Sequence, residues 1–393
     1  MRRAVVTHSV RTPIGRFLGQ FRDLTAVDLG TTAVEGLLAS SGMNPEEVDQ
    51  VLLGIGRQAG VGPNPARQVG IRAGLPEAVP AVTINMACGS GLLTLVQAAR
   101  MIALGEAECV VTGGMESMTN VPFMLPRGRL GYRLGHGKMV DGMYLDGFDC
   151  PLAEQVMGET AETLARKYSI ERAEQDAYAA RSQNRAEEAI RDGRFKAEII
   201  PVETRDRKGN VTAHELDEHP RSGITAEGLA GLPAVFDRES GTVTAGNSSG
   251  ITDGAAALLV MSEEGARGRG FEPLAVIEGW ESAGVNPKIM GVGPVPAVTR
   301  LNERLGRTVR SYDLVELNEA FAAQVLACDR ELKFDHDRLN VNGGAIALGH
   351  PIGCTGARIA TTLLHEMARR EANLGLATLC ISGGLGLAVS FSR

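Results

Sequence analysis

Four short segments of the chain set a nucleophile, a base or an amide where a strand-like run gives way to a turn. In Asn85-Met-Ala-Cys88-Gly-Ser-Gly91 a cysteine stands between a strand-like run ending at Met86 and a helical pattern starting near Gly89. A free thiol has a pKa of roughly 8.5 and is only slightly ionised at neutral pH. The unpaired N–H groups and dipole of a helix start stabilise an anion, so this position is expected to lower the pKa of Cys88 and favour an acyl-accepting thiolate. The bland alternative is a small residue filling a tight turn. In Val341-Asn-Gly-Gly-Ala-Ile-Ala-Leu-Gly-His350-Pro-Ile-Gly-Cys-Thr-Gly356, His350 lies in a glycine-rich loop just before a helix. It is placed either to face a cleft as a base or to serve structurally, whereas Cys354 reads as a packed small residue. In Leu379-Cys380-Ile-Ser-Gly-Gly-Leu-Gly386 a second cysteine lies in an apolar strand that opens into glycines; taken alone, Cys380 reads as core. In Val315-Glu-Leu-Asn318-Glu319-Ala-Phe321 a strand end passes into a helical pattern, with Asn318 placed like an N-cap and Glu319 in the first turn.

The elements needed to position these groups alternate along the chain. Short Val/Ile/Leu-rich runs interleave with helical patterns, which implies an α/β architecture. Thr25 and Asp28 form a capping-box pattern before Leu29, Ala33 and Leu37. Strands are expected at Ala4–Thr7, Gln50–Ile55, Ala81–Met86 and Glu108–Thr112, with a helix from about Gly89 to Leu104. The rhythm returns in the last third, with strands at Leu274–Glu278, Tyr312–Leu317, Ala377–Ser382 and Leu387–Phe391 and a long helix from about Gly353 to Arg370. The two outer regions therefore read as copies of one unit, each ending in an apolar strand followed by Gly-Gly (Gly113-Gly114 and Gly383-Gly384). The middle, from about Thr119 to Asn247, differs: a Gly- and Arg-rich stretch precedes two charged amphipathic helices near 154–168 and 172–191. It reads as an insertion capping the core.

Composition closes off several classes of function. The 393 residues exceed what one compact core holds. Net charge is −7 with no long basic block, which argues against a nucleic-acid partner. No clean apolar run approaches the ~20 residues of a membrane span, and Met1-Arg-Arg leads straight into a strand, so a soluble cytoplasmic protein is expected. The six cysteines include no Cys-x-x-Cys pair, and no metal site is expected. Neither a Gly-x-Gly-x-x-Gly dinucleotide loop nor a phosphate-binding loop is present, so no permanently bound cofactor is expected.

Taken together, the four segments resemble the active-site blocks of the thiolase family, in order and over nearly the whole chain: Cys-Gly-Ser-Gly at 88–91, Asn-Glu-Ala-Phe at 318–321, Gly-Gly-Ala-Ile-Ala-Leu-Gly-His-Pro at 343–351 and Cys-Ile-x-Gly-Gly at 380–384. Arg11-Thr-Pro-Ile-Gly, Gly113-Gly-Met-Glu-Ser and Thr244-Ala-Gly-Asn-Ser-Ser-Gly are similar to thiolase segments as well. The resemblance implies duplicated βαβαβ units in a five-layered α-β-α-β-α core. It divides the chain into an N-terminal half (1–119 with 248–270), an inserted loop domain (120–247) and a C-terminal half (271–393). It implies a coenzyme-A-dependent acyltransferase that cleaves 3-ketoacyl-CoA, or condenses acetyl-CoA with acyl-CoA, through an acyl-Cys88 intermediate. By resemblance His350 takes the Cys88 proton, Cys380 is acid/base at the substrate α-carbon, and Asn318 holds a water that polarises the thioester oxygen. Backbone N–H groups of Cys88 and Ser382 form a second oxyanion hole. Met157, Phe236, Ser249 and Phe321 are implied near the pantetheine and thioester end of coenzyme A, with Arg221 toward its phosphates. Arg127, Arg129, Arg133 and Lys138 are similar to an oligomerisation loop, and a dimer or tetramer is expected. The chain departs from the family's usual pattern at Ser382, where glycine is common, and at Val156, where short-chain members often have His. A ketoacyl-synthase-like enzyme and a catalytically silent acyl-CoA-binding homologue are the competing readings.

Overall fold

The structure, a computed structural model, describes residues 2–393. The first half runs β1 (Ala4–Arg11), α1 (Ala26–Ser41), β2 (Gln50–Gly54), α2 (Pro65–Arg72), β3 (Ala81–Ile84), α3 (Ser90–Leu104) and β4 (Cys109–Ser117). The middle supplies α4 (Met157–Lys167) and α5 (Arg172–Arg191) together with short hairpins. The chain then returns through β5 (Thr252–Ser262) and continues as β6 (Ala275–Gly284), α6 (Pro294–Leu305), β7 (Leu314–Leu317), α7 (Ala322–Leu332), α8 (Ile352–Arg370), β8 (Leu374–Ile381) and β9 (Leu385–Ser392).

The repeat expected from the sequence is visible in the strand order. The first half pairs as β3-β2-β4-β5-β1, and the second as β7-β8-β9-β6. An isolated parallel bridge from Val315 to Leu339 supplies the position equivalent to β3. The halves meet where β1 pairs antiparallel with β6 at Val5–Val276 and Val6–Ala275.

Alternation along the strands builds the layers. On β5, Ala255, Ala257, Leu259 and Met261 pack outward with α1, while Ala256, Leu258 and Val260 face inward among residues of α3, α8 and the second sheet. Beyond that sheet, Ala297, Val298 and Leu301 of α6 and Val325 and Cys328 of α7 pack on Val315, Leu317, Leu376 and Ala388. The result is helix, sheet, helix pair, sheet, helix. Strands buried on both faces read as unbroken apolar runs, which is why β5 is buried along its whole length. α3 is the one helix among the described residues long and apolar enough for a membrane span, and it lies in the middle layer.

Local chemistry sets the ends. Thr25 caps α1 by accepting the Asp28 N–H at 3.2 Å, and Asp28 accepts the Thr25 N–H at 2.9 Å; such a cap contributes about 1 kcal/mol. The Gly-Gly parallel fails. Gly113 and Gly114 lie inside β4, which runs on to Ser117, because α8 packs too closely for side chains: a Cβ on Gly114 would lie 2.1 Å from the Gly353 carbonyl oxygen. Gly383 and Gly384 instead form the β8–β9 turn, with φ of 88° and 87°. The Asn318 region also differs from expectation. α7 starts at Ala322 with Phe321 at its N-cap, so Asn318 caps nothing and Glu319 precedes the helix. Glu319 is instead a buried clamp, accepting hydrogen bonds from Tyr178 Oη (2.8 Å) and Ser182 Oγ (2.6 Å) of α5 and from Asn340 Nδ2 (2.9 Å). It fastens α5 of the middle segment to the second half.

Candidate active site

Cys88 stands on a strained elbow. Ala87, just before it, has φ of 46°, a left-handed conformation that costs an L-residue about 1–2 kcal/mol. Three hydrogen bonds hold it there: Asn85 Oδ1 accepts the Ala87 N–H at 2.9 Å, Ser90 Oγ accepts the Met86 N–H at 2.9 Å, and the Ser90 hydroxyl donates to the Ala87 carbonyl at 2.6 Å. The side chain of Cys88 remains half-buried and packs against Met118, Met143 and Ile352.

His350 Nε2 lies 3.3 Å from Cys88 Sγ. The tautomer follows from the other ring nitrogen. The Thr355 hydroxyl donates its single proton to the Pro351 carbonyl at 2.9 Å, so it accepts from His350 Nδ1–H at 2.6 Å. Nε2 then carries the lone pair that faces the thiol. Burial drives the imidazole's pKa down to about 3, with the Arg358 and Arg57 charges adding to the effect. Burial also pushes the Cys88 thiol up, against the lowering expected from its place at a helix start; the Arg57 charge and the N–H groups of Ser382 and Cys88 offset only part of this. The resting pair is therefore a neutral thiol and a neutral imidazole, with the Nε2 lone pair placed to accept the thiol proton. The sequence marked His350 but gave no sign of Thr355. Thr355→Val strands the buried Nδ1–H, and kcat is expected to fall about 10- to 100-fold with little change in KM. Thr355→Ser, which keeps the hydroxyl, should restore most of the loss; equal kcat for Val and Ser variants would show that the hydroxyl does not orient the ring.

Cys380 is the next-to-last residue of β8 and is 1% exposed, within a cluster of Met290, Ala320, Met157 and Phe321. Burial raises its pKa well above the ordinary thiol value, and the neighbouring Cys88 sulfur adds to the rise. The two sulfurs, one from each half of the chain, thus come close enough to interact. Asn318, 1% exposed, donates its backbone N–H to the Thr378 carbonyl at 3.0 Å, but neither atom of its side-chain amide has a partner. A buried amide without partners is costly, and it fits a position completed by water or ligand. Ser382 directs its N–H at the Cys88 sulfur from a negative φ, so the serine sits without strain where glycine was thought useful; the left-handed turn falls on Gly383 and Gly384.

The residues implied in coenzyme A binding separate into two groups. Met157 and Phe321 line the Cys380 cluster, Phe236 meets Phe321 edge to face at 6.4 Å, and Ser249 N–H bonds the Ala320 carbonyl at 3.0 Å. Arg221 stands apart and exposed, with its backbone N–H held by Gln183 Oε1 at 3.0 Å. Arg127, Arg129, Arg133 and Lys138 lie on an exposed segment beside Leu130 and Leu134, which are 82% and 98% exposed.

Comparison with known proteins agrees with this geometry. The thiolase N-terminal domain family matches residues 4–264, and the thiolase C-terminal domain family residues 271–393. The chain is 50% identical to an acetyl-CoA acetyltransferase of Pseudomonas aeruginosa, with 100% of both chains covered. It is 49% identical to that of Allochromatium vinosum, covering 99% of this chain and 98% of the relative. The crystal structure of the Bacillus anthracis acetyl-CoA acetyltransferase superimposes with a TM-score of 0.97 at 44% identity, over 100% of this chain and 99% of the other. Human mitochondrial 3-ketoacyl-CoA thiolase in complex with CoA gives 0.95 at 41% identity, over 100% and 98%. On a nucleophile elbow from one half, an imidazole and second thiol from the other, and family matches spanning both, the chain belongs to the thiolase family.

Proposed function

We propose that this thiolase reversibly cleaves 3-ketoacyl-CoA with coenzyme A into acetyl-CoA and a shortened acyl-CoA, in the manner of the acetyl-CoA acetyltransferases it is similar to, with Cys88 carrying the shortened acyl group. The observation that supports this best is the 3.3 Å approach of His350 Nε2 to Cys88 Sγ beside the second buried thiol of Cys380. In thiolysis the Cys88 proton passes to His350 and the sulfur attacks the 3-keto carbon. The C2–C3 bond breaks, its electrons leave on the acetyl-CoA enolate, and the Cys380 thiol protonates C2. His350, now carrying the proton on Nε2, and a water held by Asn318 stabilise the enolate oxygen. Donors aimed at such an oxygen are typically worth ~10²–10³ in rate each. The N–H groups of Cys88 and Ser382 serve the acyl-enzyme while the His350 proton returns to the Cys380 thiolate. His350 then takes the proton of an incoming coenzyme A thiol, whose sulfur takes the acyl group, and hands that proton back to the released Cys88 thiolate. Coenzyme A lies along Met157, Phe236, Ser249 and Phe321, with Arg221 toward its phosphates.

The exposed segment of Arg127, Arg129, Arg133 and Lys138 is proposed to join subunits as a dimer or tetramer, supported by Leu130 and Leu134 standing free of the fold. The catalytic reading is tested by steady-state thiolysis over a series of 3-ketoacyl-CoA chain lengths. Parallel double-reciprocal lines, indicating a covalent acyl-enzyme, are expected; intersecting lines, or coenzyme A binding without turnover, would exclude it.

A further inference from the structure

Arg57 is a buried cation whose charge acts on Cys88 and His350 but which no step of the mechanism above contacts. It follows β2, is 5% exposed, and its Nε has no hydrogen-bond partner. Burying a guanidinium without a hydrogen-bonded acid is expensive, so such a group marks a place where a ligand completes the pairing. The nearby carboxylate of Glu116 does not fulfil this need. It is occupied by the backbone N–H groups of Gly56 (2.9 Å), Arg57 (3.1 Å) and Gly353 (2.9 Å), and makes no side-chain bond to Arg57.

The surroundings tie this cation to the nucleophile. The guanidinium stands over the Phe148 ring, 5.9 Å from its centroid, and lies flat on Gly147, where a Cβ would come within 2.0 Å of it. Phe148 belongs to a single π-helical turn, Tyr144–Phe148, a distortion that recurs at functional sites. The same phenylalanine packs against the apolar wall of Met118, Met143 and Ile352, which Cys88 also borders. The sulfur and the ring under the guanidinium thus border one apolar cluster.

We propose that Arg57 selects the acyl group: a chain carried on Cys88 runs along this wall and presents a terminal carboxylate to the guanidinium, so the enzyme takes 3-ketoacyl-CoA substrates with a second acid group at the far end. The geometry supplies the reason. A planar guanidinium with a free edge is matched to a carboxylate, and the wall before it is matched to intervening methylenes.

The inference rests on the thiolase reading, and the test separates the two. Thiolysis is measured with pairs of 3-ketoacyl-CoA substrates of six and eight carbons, one of each pair ending in methyl and the other in carboxylate. Acetoacetyl-CoA serves as the reference for the underlying reaction. At one or both lengths the wild type is expected to favour the carboxylate substrate in kcat/KM, and Arg57→Leu to cut that ratio about 10- to 100-fold, the range a charged hydrogen bond supplies. Arg57→Lys should retain part of the preference. Turnover of the methyl-ended substrate by Arg57→Leu shows that the variant is folded, and if it fails to fold, the Lys variant carries the test by its ratio. Equal use of both ends by the wild type, or a ratio unchanged in the variants, overturns the proposal while leaving the thiolase reading intact. Equal loss on both substrates places the guanidinium's effect on the nucleophile and overturns it too.

Discussion

Cys88→Ala is expected to lower acetoacetyl-CoA thiolysis by about 10⁴- to 10⁶-fold, the range seen when a nucleophile that acts as one unit with its base is removed. The size of the effect follows from the neutral resting pair. An imidazole whose pKa lies near 3 is a weak base, and a thiol raised by burial is a weak acid, so ionisation is unfavourable until substrate brings the reacting carbon to the sulfur. No other side chain at the elbow can replace that sulfur: Ala87 and Gly89 flank it, and Ser90 is fully committed to holding the turn. Intact-mass spectrometry after mixing with acetyl-CoA should show an acetyl adduct on the wild type and none on the variant. An adduct on Cys88→Ala, or retained thiolysis, would remove the assignment.

The second large effect concerns the other thiol. Cys380→Ala is expected to lower carbon–carbon cleavage by about 10²–10⁴-fold, the contribution of a positioned acid or base, while leaving acetyl transfer from acetyl-CoA to the enzyme in place. A thiol held protonated by burial is suited to protonate an enolate, which is far more basic than any thiolate. The chemistry at Cys88 needs no proton from it. The variant should therefore still acquire the acetyl adduct and exchange acetyl groups with labelled coenzyme A, yet fail in thiolysis and condensation. Full thiolysis by Cys380→Ala would instead favour the ketoacyl-synthase-like reading.

Much of this site was legible before any coordinates. Cys88, His350, Cys380 and Asn318 sit where apolar runs meet glycine, a pattern readable locally, and their order along the chain carries the family resemblance. What escaped notice acts through space. Thr355 looks like one more small residue in a glycine-rich helix start, and only its two bonds reveal that it sets the histidine tautomer. Arg57 looks like a surface residue of a loop until its burial is seen. The helical pattern at Asn318 and Glu319 does not become helix, because the bridge from Ser248 to Phe321 keeps the backbone extended until Ala322. The direction of the Cys88 shift was misjudged for a similar reason, since a helix start is visible in sequence and the apolar wall around the sulfur is not.

The middle helices leave almost no clearance. A Cβ on Gly91 would come within 2.7 Å of the Ala357 nitrogen, and one on Gly356 within 2.2 Å of the Leu92 nitrogen. α3 begins two residues after Cys88 and α8 two residues after His350, so backbone contact between them acts as the gauge that sets sulfur and imidazole apart. A single added methyl would wedge the helices open by an amount comparable to a hydrogen bond's tolerance. The spacing of sulfur and imidazole is therefore stored in the absence of side chains, within two turns of each group.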